Sequence, residues 1–152
     1  MERLLIQNIG LLATPAGHEA RRGPAQGEIS MTKNAWLLAE DGVIAASGTG
    51  APPDCGAAKV LDAQGCLVTP GLVDAHTHLI FGGWRQNELG LKLHGVSYLE
   101  ILARGGGILS TVEATRAASE AALVQKALPE LETMLRWGTT TCEIKSGYGL
   151  AT

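Results

Sequence analysis

Aromatic residues are scarce in this chain of 152 residues: they make up 4%, with a single Phe. So few ring faces argue against a stacking platform for carbohydrate or single-stranded nucleic acid. A surplus of one charge is missing too. Twelve Lys and Arg stand against 15 Asp and Glu, a net charge of −3, which gives no basic footprint for nucleic acid. No uncharged apolar run approaches the ~18 residues of a membrane span. The start, Met1-Glu2-Arg3-Leu4-Leu5-Ile6, lacks the apolar stretch and small-residue cleavage site of a secretory leader. Cysteine is limited to Cys55, Cys66 and Cys142, odd in number, widely spaced and in no CxxC pair. That pattern suits a reducing, cytoplasmic compartment rather than a disulfide framework, with each thiol a small buried or half-buried residue.

What the chain does have is apolar content and glycine. Hydrophobic residues reach 45% and charged residues 18%, the balance of a folded chain. Glycine occurs 20 times without a Gly-X-Y period, which excludes collagen and points to tight turns and close backbone approaches.

Residues 1–66 read as short strands and turns, a β-rich N-terminal segment resembling a small sandwich. The first strand is Leu4–Ile9, and a polar loop runs from His18 to Gly27. Asp41-Gly42 between Asn34–Ala39 and Val43–Ser47 predicts a hairpin, because glycine accepts the positive φ of the tight turn. Lys59–Asp62 and Cys66–Val68, separated by Ala63-Gln64-Gly65, predict a second hairpin. Residues 67–152 change character at Pro70-Gly71. Leu72–His76 reads as a strand and Ser97–Ala103 as a short helix in a mostly irregular stretch from Gly82 to Gly107. A long helix follows to Trp137, opened by a capping box of Ser110 and Glu113, kinked or restarted at Pro129 and stopped by Gly138. Thr139–Ile144 is β-branched and reads as the next strand. Strand, helix, strand predicts a βαβ unit with parallel pairing, hence an α/β fold. A two-stranded parallel unit leaves an edge and a face uncovered, so the sequence reads as the N-terminal piece of a larger enzyme.

The sharpest chemical feature is Asp74-Ala75-His76-Thr77-His78. Alternation along a strand puts positions 74, 76 and 78 on one side. Two imidazoles at a strand end can reach one metal ion, with Asp74 available to orient a ligand. In context, Val68-Thr69-Pro70-Gly71-Leu72-Val73-Asp74-Ala75-His76-Thr77-His78 resembles the signature of the metal-dependent amidohydrolase superfamily, as do Asp41–Ala45 and Val60–Gly65 more loosely. The resemblance implies the start of a (β/α)8 TIM-like barrel, incomplete here, preceded by part of a composite β domain.

Three further blocks narrow it. His78–Glu88, Gly105–Val112 and Glu143–Leu150 resemble the imidazolonepropionase family in order and spacing. That family opens the ring of 4-imidazolone-5-propanoate with water to give N-formimino-L-glutamate, the third step of histidine breakdown. By this resemblance His76 and His78 are two ligands of one divalent ion, Zn or Fe. Arg85 holds the substrate carboxylate, which a guanidinium can grip through two parallel hydrogen bonds. Tyr148, between Gly147 and Gly149, also faces the substrate, with Tyr98 as a further candidate. The remaining ligands and the acid–base residue are expected beyond Thr152, so no catalytic residue falls within this stretch. The expected partner is the small-molecule substrate, without nucleic acid or membrane, and with a homodimer for the complete protein. The HxH and Pro-Gly elements alone leave open another cyclic-amide amidohydrolase, a nucleobase deaminase, or an inactive metal-binding fragment. Gly105-Gly106-Gly107 lacks the Lys-Ser/Thr of a phosphate loop and reads as a lid or loop near the site. Lys145 reads as structural, His18 and His94 as loop or surface residues, and Trp36, Trp84 and Trp137 as packing residues.

Overall fold

The computed structural model describes residues 2–17 and 19–150, so the expectation for His18 lies outside the described residues. The chain is mixed α/β and divides into two units, Met1–Pro70 and Gly71–Thr152.

The first unit is a sheet of five strands: β1 (Arg3–Pro15), β2 (Ile29–Glu40), β3 (Val43–Thr49), β4 (Lys59–Asp62) and β5 (Leu67–Val68). The order is β3-β2-β1-β4, with β5 also on β1. β2 and β3 form the expected hairpin, and its turn residues Asp41 and Gly42 both have positive φ, 48° and 82°. That pair of angles matches the right-handed twist of the flanking strands.

The second expected hairpin does not form. β4 and β5 each pair in parallel with β1, Leu4↔Lys59 through Gln7↔Asp62 and then Leu11↔Leu67 and Leu12↔Val68. Residues between them make a kink in one edge strand rather than a reversal. Ala63 N donates to Gln7 O and Gly65 N to Asn8 O on β1, at 2.9 and 2.7 Å, while Gln64 N and Cys66 N are met within the turn by Asp62 Oδ1 and Ala63 O. β1 answers with an irregularity between Ile6 and Ile9, where Asn8 has φ 54°. Gly10 is required by this approach: a Cβ there would lie 2.0 Å from Gly65 O. Because β5 belongs to this sheet, Leu67–Val68 falls in the first unit, whereas the sequence boundary after Cys66 put it in the second. Two small apolar clusters hold the unit. One is Leu5, Leu38 and Cys55 with Trp36 against it, the other Ile9, Leu12 and Ala35.

The second unit runs β6 (Leu72–Thr77), α1 (Glu88–Leu93), α2 (Tyr98–Ala103), α3 (Gly107–Ala117), α4 (Glu120–Arg136) and β7 (Thr139–Ile144). β6 and β7 pair in parallel from Leu72↔Thr139 to Thr77↔Ile144, as strand–helix–strand predicted. Ser97 caps α2 by accepting from Glu100 N at 3.2 Å, and Gly138 (φ 93°) follows α4 as the stop.

The helical region differs from expectation in three respects. Helix α1 occupies part of the stretch read as irregular. The Ser110–Glu113 capping box is absent, since α3 already begins at Gly107 and Ser110 Oγ donates to Gly107 O at 2.9 Å. The N-terminus of α3 is satisfied from a distance: the buried Glu88 carboxylate accepts from Gly107 N at 2.6 Å. The long helix breaks at Ser119, which accepts from Ala122 N at 3.2 Å, and Pro129 lies inside α4 without dividing it. Trp137 is 81% exposed, so the packing role expected for it is not met, whereas Trp84, 55% exposed, packs its ring edge-to-face with Phe81. Among the described residues no helix is long and apolar enough to cross a membrane, and the three thiols are free, Cys55 buried, Cys66 exposed and Cys142 half-buried.

Candidate functional site

The C-terminal end of β6 carries the histidine pair. Asp74 Oδ1 accepts from His76 N at 3.0 Å, so this carboxylate shapes the local backbone instead of meeting an imidazole. The rings of His76 and His78 have centroids 5.3 Å apart and meet at 68°. His76 is exposed and His78 half-buried. The Nδ1 of His78 is buried without a hydrogen-bond partner among the described residues.

The loop after β7 closes on His78. The Tyr148 ring lies 5.4 Å from the His78 ring, tilted by 56°. Gly147 makes this possible, because a Cβ at that position would sit 2.6 Å from His78 Nδ1. The loop is tied from α3, where Arg116 Nε donates to Gly149 O at 2.7 Å. Lys145 N donates to Thr77 O at the end of β6 at 2.8 Å, and its ammonium pairs with Glu143 on β7.

The loop after β6 is pinned as firmly. Gly82 N donates to Thr115 Oγ1 at 2.9 Å, and a Cβ on Gly82 would be 2.3 Å from Ala114 O. Phe81 then packs against both Tyr148 (5.9 Å) and Trp84 (5.0 Å). The Lys126 ammonium lies 3.1 Å from the Phe81 ring centre and 4.0 Å from that of Trp84, and donates to Phe81 O at 3.0 Å. Burial pushes the Lys126 pKa down, and the Glu130 carboxylate offsets part of that effect.

The structure therefore gathers His76, His78 and Tyr148. It gives no contact joining Arg85 or Tyr98 to that cluster. Arg85 is half-buried, and no hydrogen bond or ion pair engages its guanidinium among the described residues. Tyr98, 49% exposed on α2, sets its hydroxyl against Gly107, whose Cβ would meet it at 3.2 Å. His94, at the end of α1, is exposed and places Nδ1 2.7 Å from Gly90 O. Phe81, Glu88 and Lys126 were not singled out in the sequence. Each acts through a partner far away in the chain, and no local pattern marks it.

A metal ion fits the donor set in part. Two imidazole rings face each other at the strand end, yet no group of three or more His, Cys, Asp and Glu able to hold a metal occurs among the described residues. Two nitrogens are half of the usual tetrahedral complement.

A family model described as "Amidohydrolase family" matches residues 59–137, more than half of the chain and including the histidine pair. The chain belongs to the amidohydrolase family. This amidohydrolase chain is 50% identical over 147 residues to imidazolonepropionase of Bacillus velezensis, covering 96% of the chain and 35% of that protein. It is 50% identical over 149 residues to imidazolonepropionase of Caldanaerobacter subterraneus, covering 98% and 36%. With the Alkaliphilus metalliredigens imidazolonepropionase it shares 47% identity over 157 residues, 100% of the chain and 37% of the relative. The chain thus spans about a third of the length of the curated relatives it matches. Among solved structures, the crystal structure of an amidohydrolase superposes with a TM-score of 0.57 at 20% identity, over 92% of this chain and 24% of that one. That likeness concerns the fold.

Proposed function

We propose that this amidohydrolase chain is the metal-binding N-terminal part of a hydrolase that opens the ring of 4-imidazolone-5-propanoate with water, giving N-formimino-L-glutamate. The carrying observation is the packing of Tyr148 on His78 at the end of β6, within a chain about 50% identical along nearly its whole length to imidazolonepropionases. In this reading β6, the helices and β7 begin a (β/α)8 barrel, and residues 1–66 contribute to a separate β domain. Barrel enzymes build their sites from loops at the C-terminal ends of the strands, which is where His76, His78, Arg85 and Tyr148 lie.

His76 and His78 would hold one divalent ion, zinc or iron, together with donors from outside the described residues. Such an ion, when bound, supplies Lewis acidity and lowers the pKa of water. The chain's own residues bind and orient the substrate. Arg85, whose guanidinium is unengaged among the described residues, receives the propionate carboxylate through paired hydrogen bonds. Tyr148 closes one side of the site with its ring and offers a hydroxyl to the imidazolone. Tyr98 lines the approach from α2. Three free thiols accord with a cytoplasmic setting, and a homodimer is proposed for the complete protein.

The test is hydrolysis of 4-imidazolone-5-propanoate by the complete protein, compared with a hydantoin and with guanine, before and after chelation. Metal-dependent turnover of the imidazolone alone supports the reading. Turnover of hydantoin or guanine in its place overturns the substrate, and turnover unaffected by chelation overturns the metal.

A further inference from the structure

One step behind the histidine cluster, on the far side of Phe81, stands Lys126. It projects from α4, 45 residues from Phe81 in sequence. Three contacts converge on its ammonium: the Phe81 carbonyl at 3.0 Å, the Phe81 ring at 3.1 Å and the Trp84 ring at 4.0 Å. A single group thus clamps both ends of the Phe81–Trp84 loop, backbone and rings together. An ammonium over two ring faces, partly withdrawn from water, is held more strongly than at an exposed site.

The clamp leads to the histidines through rings alone. Phe81 meets Tyr148 at 5.9 Å, and Tyr148 meets His78 at 5.4 Å. Both separations are those of interacting aromatic pairs. Tyr148 has small neighbours on each side, Gly147 and Gly149, so its own backbone restrains it little. Its place beside His78 depends on Phe81 at one flank and on the Arg116 bond to Gly149 at the other.

We propose that Lys126 is a positioning residue: it fixes Phe81, and through Phe81 the angle and distance at which Tyr148 stands beside His78. The consequence for substrate binding rests on the function proposed above. The consequence for ring geometry does not.

Two measurements on the complete protein separate these. In the first, nuclear Overhauser contacts between the Tyr148 and His78 rings are followed in wild type, Lys126→Met and Lys126→Arg. The Tyr148–His78 contact should weaken in Lys126→Met, which keeps the apolar stem but neither charge nor donor, and return in Lys126→Arg. In the second, steady-state kinetics on 4-imidazolone-5-propanoate should show KM raised about tenfold in Lys126→Met, with kcat changed less and Lys126→Arg largely restored. Unchanged ring contacts in a folded Lys126→Met protein overturn the proposal, even if its melting temperature falls, since that outcome is mere packing. An equal fall in kcat and kcat/KM without a rise in KM also overturns it. Absence of turnover in wild type overturns the proposed function but leaves the ring contacts to decide the role of Lys126.

Discussion

The Cα of Gly147 lies so close to the His78 ring that a methyl group there would sit 2.6 Å from Nδ1. The φ of Gly147 is not in the left-handed region, so space alone demands glycine. Gly147→Ala should force the ring or the loop to move, at a cost of roughly 1–3 kcal/mol if neither can yield freely. Metal binding, read by titration with zinc, should weaken at least tenfold. Gly90→Ala is the control: it lies in α1 with nothing within 4 Å of its added Cβ, so stability should hold or rise by about 0.5–1 kcal/mol. Normal zinc affinity in Gly147→Ala would show that the loop, and not the His78 ring, yields to the added methyl group.

His76→Ala and His78→Ala should each lose most bound metal and nearly all turnover in the complete protein. No other described residue stands ready to replace a lost nitrogen, since no third candidate ligand adjoins the pair. Elemental analysis after dialysis checks this. Stoichiometric metal in both variants would remove the pair from the coordination set.

If the proposed function holds, Arg85→Ala should reduce kcat/KM on 4-imidazolone-5-propanoate about tenfold to a hundredfold, the worth of a charge-assisted pair of roughly 1.5–3 kcal/mol. Arg85→Lys should recover part, because an ammonium keeps charge without the planar fork. An analogue lacking the carboxylate should be nearly indifferent to either change. Equal harm to both substrates would mean that Arg85 does not read the carboxylate.

Glu88 is 3% exposed and joins α1 to the start of α3 through Gly107 N. Its other oxygen has no hydrogen-bond partner among the described residues, and Lys92 stands 3.8 Å away. Glu88→Ala leaves that buried N–H unmet and should cost about 1–3 kcal/mol, read as a lowered urea midpoint. Glu88→Gln retains an acceptor and should cost less. If the two variants match, the Gly107 bond is not what stabilises this corner.

Lys126 gives a pH signature. Its folded pKa is lowered by burial from the ordinary 10.5. Between the lowered value and 10.5, the unfolded chain retains a proton that the folded chain has released, so stability rises with pH across that window. Below the window both states are protonated and the burial penalty is constant. Urea midpoints of wild type relative to Lys126→Met should therefore climb through the alkaline range. A gap that stays flat or shrinks toward pH 10.5 would contradict a lowered Lys126 pKa in the folded protein.

The sequence by itself determined what depends on near neighbours. Asp41-Gly42 dictates its hairpin because the turn needs positive φ at both residues. Ser97 caps α2 because its acceptor amide lies three residues on. Gly138 ends α4, and the β-branched run after it must extend. The nearness of the two histidines was legible because they stand two residues apart at a strand exit, and their rings do meet at 5.3 Å, although β6 ends at Thr77 and its register is irregular between Asp74 and Thr77. Only the tertiary structure decided what depends on distant chain. Lys59–Asp62 and Leu67–Val68 have hairpin spacing, but β1 offers both of them free edge, and Ala63 N and Gly65 N are met there. Ser110 and Glu113 spell a cap, yet Glu88, brought up from α1, starts the helix earlier. The support of Tyr148 by Phe81, Lys126 and Arg116 left no pattern in the sequence, because cation–ring and ring–ring contacts impose no spacing on the chain. They exist only once α3, α4 and the loops after β6 and β7 have been packed together.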